Sequence, residues 1–288
     1  MAVLLDSSAR VLVHGGSGAY GRAQVATMRA AGTNIVASVS AGRGGEQMDG
    51  IATFDTAKHA VDETGADSAV IYTPAAGAGD AIVECAEAGI RLALVAAEFV
   101  PVHDSLGALA TARERDMWVV GPNSLGMISP GQALLGSIAP DFTTPGRVGV
   151  IGRSGTLTIT TTRLMRNAGI GQSTAVHIGG DLLAGRNPHE WLRLFLEDPE
   201  TDAVAYLGEI GGLKEYAMLD MISRSAKPVF CLIVGRHAPA GKRMGHAGAL
   251  IAGDRETAAA KRAALAEAGA RIADSPPHLA ALLREHLA

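Results

Sequence analysis

Two rhythms of apolar and polar positions alternate along the chain. Short runs rich in β-branched residues recur at "RVLVH" (10–14), "NIVASVS" (34–40), "SAVIYTP" (68–74), "RLALVAA" (91–97) and "MWVVG" (117–121), and the stretches between them carry a helical period. Strands alternating with helices make a βαβ series, and therefore a parallel, doubly wound sheet. Cap chemistry predicts the helix limits: Asp80 opening "AIVECAEA", Gly89 closing it, and Asp104 or Ser105 opening the next helix. From 127 to 146 the chain is rich in turn residues and loses its long periodicity. The βα pattern restarts with "RVGVIGRSGTLT" and continues through "AVHIGGD", "AVAYLGEIGG", "PVFCLIVG" and "ARIADSP" to a last helix. The expectation is an α/β chain of two domains, 1–126 and 147–288, joined by a crossing at 127–146.

Composition narrows the class. A length of 288 residues suits two domains better than one. With 48% hydrophobic residues, 19% charged residues and a net charge of -4, the chain lacks the basic excess of a nucleic-acid binder. No run approaches the roughly 18 apolar residues that span a bilayer, and the first residues lack a basic leader, so a cytoplasmic protein without membrane or nucleic-acid partners is expected. The two cysteines, Cys85 in a helical pattern and Cys231 in a strand pattern, read as core residues rather than a disulfide or thiolate metal site. No metal-ligand set is expected.

Candidate chemistry begins at "HGGSGAYGR". Gly16, Gly18 and Gly21 form G-x-G-x-x-G between a strand and a helix, where backbone N–H groups at a helix N-terminus face a phosphate. An NAD site wants an acid at the end of the second strand, but "SAGRGGEQ" puts Arg43 there and no acid before Glu46. A guanidinium suits an additional ribose phosphate, as in NADP or coenzyme A, and residue chemistry alone leaves those two open. In the second half, Ser154, Gly155 and Thr156 of "GRSGTLT" form a second strand-to-helix anion turn. "IGGD" and "GEIGG" end predicted strands, so Asp181 and Glu209 are carboxylates placed to orient an imidazole. The glycine-flanked His246 of "GKRMGHAGAL" is the imidazole nearest such a setting.

Seven motifs in order, from the glycine turn through "AGRGG", "GPNSLGMISPG", "GRSGTLT", "GQSTAVHIGGD" and "EDPETDAVAYLGEIGG" to "GKRMGHAGALIAG", resemble the α subunits of succinyl-CoA synthetase, the ADP- or GDP-forming succinate-CoA ligase. The resemblance implies a Rossmann-type CoA-binding domain followed by a flavodoxin-like ligase domain. It implies that His246 is transiently phosphorylated and that Glu209 orients it. Ser17, Gly18, Ala19, Tyr20 and Arg43 would bind coenzyme A together with Ala96, Ala97 and Glu98. It further implies ATP or GTP with Mg2+, bound mainly by an ATP-grasp β subunit, because this chain carries neither a grasp pattern nor a Walker motif.

Two departures from the family pattern bear on the substrates. Ser124 and Leu125 stand where the family has Cys-Pro. Ile159 and Thr160 stand where it has Tyr-Glu, and that tyrosine contributes to the succinate site, so the small carboxylic acid is left open among succinate, malate, citrate and short monocarboxylates. An NADP-linked oxidoreductase and a non-catalytic CoA-binding relative are the readings from other classes.

Overall fold

The computed structural model describes residues 3–239 and 241–287, which divide into two compact units. The first spans 4–138 with a short return at 183–185, and the rest of the described chain forms the second.

In the first unit the strands are β1 (Arg10–His14), β2 (Asn34–Val39), β3 (Gln47–Met48), β4 (Ile51–Phe54), β5 (Ser68–Ile71), β6 (Leu92–Val95) and β7 (Trp118–Val120). The helices between them are α1 (Ala19–Ala30), α2 (Ala57–Thr64), α3 (Ala75–Glu87) and α4 (Val102–Glu114). The sheet runs β3-β4-β2-β1-β5-β6-β7, parallel except for the short β3. Without β3, the parallel strands follow the dinucleotide-binding order 3-2-1-4-5-6, whose direction reverses between β1 and β5. Such a reversal opens a crevice at the carboxyl ends of the strands. The core under it is assembled from small and branched residues, among them Leu12, Ala69, Ile71, Ile82, Ala93 and Val95.

Three sequence expectations are corrected here. Asp80 does not open α3 but lies inside it, and the preceding N-cap is Pro74. The helix tolerates Gly79 in its first turns because a Cβ there would approach Cβ of Asp104 at 3.1 Å, so close packing of α3 on α4 replaces helix propensity. Asp104 and Ser105 likewise lie within α4, which starts after Pro101: Asp104 sits in the first turn, where a carboxylate suits the helix dipole, and Ser105 is buried. The turn-rich region contains an antiparallel hairpin, β8 (Gly126–Ser129) and β9 (Ala133–Gly136). Its strands are too short to give a period. Thr33 Oγ1 fixes it by donating to Leu134 O at 2.7 Å and accepting from Leu134 N at 2.9 Å.

The second unit contains β10 (Pro145–Gly152), α5 (Gly155–Asn167), β11 (Gln172–His177), α6 (Pro188–Glu197), β12 (Ala203–Glu209), α7 (Leu219–Arg224), β13 (Val229–Val234), α8 (Ala258–Glu267), β14 (Arg271–Ala273) and α9 (Pro276–Leu287). Its five parallel strands run β14-β13-β12-β10-β11, the flavodoxin-like order, with the reversal between β10 and β12. Cys85 and Cys231 are both buried, and burial pushes both thiols up, which makes them inert core residues. Among the described residues, no helix is long and apolar enough to cross a membrane, and no group of three or more His, Cys, Asp or Glu side chains is placed to hold a metal ion.

Candidate functional site

At the reversal in the first sheet, the chain leaves β1 through Gly15 and Gly16. Gly15 has φ +73, and a Cβ there would lie 2.6 Å from Thr73 Oγ1; a Cβ at Gly16 would lie 2.3 Å from Val13 Cγ1. A Cβ at Gly21 would meet the Gly16 carbonyl oxygen at 2.5 Å, so the missing side chain lets α1 rest on the turn. Nothing lies within 4 Å of the corresponding position at Gly18, and no side chain caps α1. First-turn N–H groups have no partner within their own helix, and at α1 the approach to them is open.

Around this turn, Ser17 and Arg43 line one cleft together with Arg22, Ser38 and Ser40, three residues the motif did not single out. Arg43 is half exposed and paired with Glu46 at 2.6 Å, the carboxylate holding the guanidinium pKa up. Ala19 is exposed and Tyr20 is 58% exposed, its ring edge-on to Tyr72 at 5.7 Å. Ala96 and Ala97 follow β6: Ala96 N donates to Ile71 O at 3.1 Å and Ala97 O accepts from Asn123 N at 2.7 Å. Glu98 is exposed beside them. Ser124 is buried and its Oγ accepts from Gly126 N, while Leu125 is half buried.

The reversal in the second sheet is lined by charge. Directly after β10 comes Arg153, then Ser154, which caps α5 by accepting from Leu157 N at 3.4 Å. Gly152 permits this tight exit, since a Cβ there would lie 1.9 Å from Thr158 Oγ1. Gly155 and Thr156 form the first turn of α5, with Ile159 half buried and Thr160 exposed on the next. Glu209 ends β12, its side chain 6% exposed. His246, at the far end of the sequence, reaches it: Nδ1 lies 2.8 Å from Glu209 Oε2. The imidazole ring packs on Gly180, where a Cβ would stand 3.0 Å from Cδ2.

The hydrogen bond and charge of Glu209 hold the His246 pKa up, against burial and the Arg153 guanidinium; Asp181 adds a further pull through its charge. Glu209, not Asp181, therefore makes the contact that orients the ring. A carboxylate accepting from Nδ1–H fixes the tautomer and leaves the Nε2 lone pair available. His177 has the opposite fate: burial, with the nearby charges of His246 and Arg153, takes its pKa down to about 4.

Four further buried groups stand behind Glu209. Arg153, 4% exposed, is 3.3 Å from Glu209 Oε1 and 3.6 Å from Glu215 Oε1. Lys261 Nζ donates to Glu209 O, Gly211 O and Glu215 Oε2 at 2.9, 2.6 and 2.7 Å. Tyr206 donates its hydroxyl to Glu215 Oε1 at 2.8 Å. Arg153 stood inside a quoted motif, next to its anion turn, and that adjacency was a readable signal. Glu215 in "LKEY" and Lys261 in "AAAKRAAL" look like solvated charges in sequence and carried none.

Comparison with known proteins agrees in both units. Residues 6–99 match the CoA binding domain family and residues 151–271 the CoA-ligase family. An α subunit of ADP-forming succinate-CoA ligase from Archaeoglobus fulgidus is 45% identical over 275 residues, covering 96% of this chain and 94% of that protein. The chain belongs to the family of succinate-CoA ligase α subunits. The α subunit of malate-CoA ligase from Methylorubrum extorquens is 39% identical over 293 residues, covering 100% of this chain and 99% of its own length. ATP citrate lyase from Methanothrix soehngenii, solved with citrate and coenzyme A, superposes with a TM-score of 0.89 at 26% identity over 99% of this chain. This chain spans about half of that longer protein, 51% of its length. The chain is thus an acid-thiol ligase α subunit with a CoA-binding domain, and succinate, malate and citrate all occur among the names of its relatives.

Proposed function

We propose that this chain is the phosphoryl-carrying subunit of a nucleotide-dependent ligase joining a small carboxylic acid to coenzyme A. The observation that carries the reading is the 2.8 Å contact between His246 Nδ1 and Glu209 Oε2 in a glycine-rich loop, which engages Nδ1–H of the neutral ring and leaves the Nε2 lone pair available. Nε2 attacks the γ-phosphorus of ATP or GTP and the nucleoside diphosphate leaves. The phosphoryl group then passes to a carboxylate oxygen of the acid, and the CoA thiol displaces inorganic phosphate from the acyl carbon. Each difficult transfer becomes two easier ones. The N–H groups of Gly155 and Thr156, at the Ser154-capped start of α5, suit the transferred phosphate.

Coenzyme A fits the first unit on three counts. The α1 N-terminus is open at Gly18, Ser17 and Arg43 share a cleft, and the Arg43 partner is an exposed glutamate that gives way to a phosphate at little cost. Ala19, Tyr20, Ala96, Ala97 and Glu98 complete the proposed contacts. An NADP-linked oxidoreductase uses the same glycine turn but gives no role to His246 on Glu209. The nucleotide and its Mg2+ belong to an ATP-grasp β subunit, the counterpart that the name α subunit in the relatives implies.

Ile159 offers only apolar surface where a tyrosine hydroxyl would meet a carboxylate, and it lies one turn into α5. Succinate is accordingly expected to be a poor substrate unless the β subunit supplies a donor. The test is to incubate chain and co-expressed partner with γ-labelled ATP or GTP: an acid-labile label on this chain supports the reading, and an acid-stable label or none rejects it. Ranking kcat/KM for succinate, malate, citrate and short monocarboxylates, with and without Ile159→Tyr, then identifies the acid. If succinate ranks first and the tyrosine changes nothing, position 159 does not set the substrate.

A further inference from the structure

The reversal in the second sheet places Arg153 at the end of β10 and Glu209 at the end of β12, side by side on the edge where ligands collect. Arg153 is too buried to touch a substrate, with its side chain 4% exposed. Its position is nevertheless tightly specified. Arg153 N donates to Leu207 O at 2.9 Å, and its carbonyl accepts from buried His177 Nε2 at 3.2 Å. A Cβ at Gly248 would stand 3.0 Å from Arg153 NH2, so the missing side chain lets the His246 loop lie over the guanidinium without displacing it. Burying a guanidinium is costly unless fixed carboxylates face it, and here Glu209 and Glu215 do.

We propose that Arg153 is a positioning residue for phosphoryl transfer, holding Oε1 of Glu209 so that Oε2 stays on His246 Nδ1 and the Nε2 lone pair stays free. Oε2 is hydrogen-bonded to His246, whereas Oε1 is buried with no hydrogen-bond partner, so the charge of Arg153 NH2 at 3.3 Å is what keeps Oε1 turned toward it and the carboxylate plane set. Glu215 backs the grip on the far side of the guanidinium, and Lys261 and Tyr206 in turn hold Glu215. Lys261 also ties the backbone carbonyls of Glu209 and Gly211, so the strand end that carries Glu209 is fixed along with its side chain. This inference rests on the proposed phosphorylation of His246, and its test separates the two.

Two measurements on the full chain decide it. The first is the tautomer and titration of His246 by 15N NMR on histidine-labelled protein, which needs no partner, nucleotide or activity. The groups acting on that ring are Glu209, Arg153, Asp181 and His177. In the native chain, Nδ1 carries the proton. In Arg153→Met, the ring populates both tautomers and its pKa falls, because the Glu209 hydrogen bond, the largest effect holding it up, is weakened by more than the loss of a repelling cation restores; Arg153→Lys, which keeps the charge but loses the guanidinium shape, loses tautomer preference with a smaller fall. The second is the rate of His246 labelling in the complex with the β subunit, expected to fall by about 100-fold in Arg153→Met, the size seen when a reacting group is misplaced by about 1 Å. In a Glu209→Gln background the same substitution should cost less than about 2-fold, because the carboxylate through which Arg153 acts on His246 is then gone. If Arg153→Met does not fold, Arg153→Lys carries both measurements. An unchanged tautomer in either folded variant, or an equal loss in both backgrounds, overturns the positioning role. A native complex that labels somewhere other than His246 overturns the phosphorylation reading instead, whatever the tautomer does.

Discussion

The two strand-to-helix turns, Gly15–Gly18 before α1 and Gly152–Ser154 before α5, occupy equivalent places in their sheets and solve the same problem differently. Each follows the first strand of its unit at the reversal point, and each needs glycine because the following helix presses on the strand end. At the first turn the site is backbone: α1 has no side-chain cap, and the nearby Arg43–Glu46 pair is half exposed. At the second, the cap is a serine, and Arg153, Glu209, Glu215 and Lys261 form a buried ionic network beneath His246. A turn that only has to bind a phosphate-bearing ligand works with open amides and a screened cation. One that must keep a nucleophile in a single tautomer needs fixed charges in a low-dielectric setting, where orientation is enforced.

Removing His246 breaks the comparison most completely. His246→Asn should abolish phosphoryl labelling while CoA affinity, measured by calorimetry on the same protein, stays within about 2-fold, since an asparagine leaves the first turn untouched. Labelling that persists in the variant places the nucleophile elsewhere.

The buried setting of the second turn also predicts acid sensitivity. The His177 pKa falls from an ordinary 6.5 to about 4 in the folded chain, so between those values the unfolded state binds a proton that the folded state refuses. The stability is intact above pH 6.5 and is lost as pH falls, by about 3 kcal/mol once pH 4 is reached. Denaturant unfolding from pH 7 to pH 4 should show a loss of this size that His177→Gln reduces. A variant with the native pH dependence would remove His177 as its source.

Next in size is the packing of the first turn. In Gly21→Val even the Cβ falls 2.5 Å from a backbone oxygen, which a side-chain rotation cannot relieve. The α1 start must shift, at a cost of about 1–3 kcal/mol in stability, and CoA binding should weaken with it while the native tautomer of His246 persists. A Gly18→Ala change, at a position with open space around it, should leave stability nearly unaltered and report only on the room a ligand needs. Equal effects from both substitutions would mean that ligand contact, not helix packing, explains the glycines.

How much of this could be read from residues follows the same division. The parallel, doubly wound character of the first sheet and the glycine turn were legible because backbone-built features require particular residues at particular spacings: glycine where a Cβ has no room, β-branched runs where strands are buried on both faces. Glu209 and His246 were legible because both sit in glycine-flanked segments, which is unusual for a carboxylate and an imidazole. Lys261 and Glu215 were not. Each belongs to a polar-looking helix, and only tertiary folding turns those positions inward toward one another. Asp80 misled for the converse reason: it is a good capping residue, but Pro74 had already started the helix, and Gly79 just before it is a contact point between α3 and α4. The hairpin β8–β9 escaped because its strands are four residues each, too short for an alternation to declare itself.

Arg43 and Arg153 carry the same charge in settings so different that the smallest prediction gives the sharpest contrast. The Arg43 guanidinium is 46% exposed, and its glutamate partner 51%, so the pair itself contributes little and is screened by salt. Its proposed task is the ribose 3'-phosphate, a group that coenzyme A has and dephospho-CoA lacks. Arg43→Ala should then weaken CoA by about 10-fold, the size of one charge-assisted hydrogen bond, and leave dephospho-CoA unchanged. The native preference for CoA over dephospho-CoA should also shrink as ionic strength rises, because both partners stand in water. Equal losses for the two ligands would move the 3'-phosphate to another cation, and Arg22, on the same cleft but already paired with Asp49 at 2.7 Å, is the next to substitute. Adding salt should barely affect the Arg153 network, whose charges are out of reach of counterions, so the same titration read at His246 gives the matching control from the other turn.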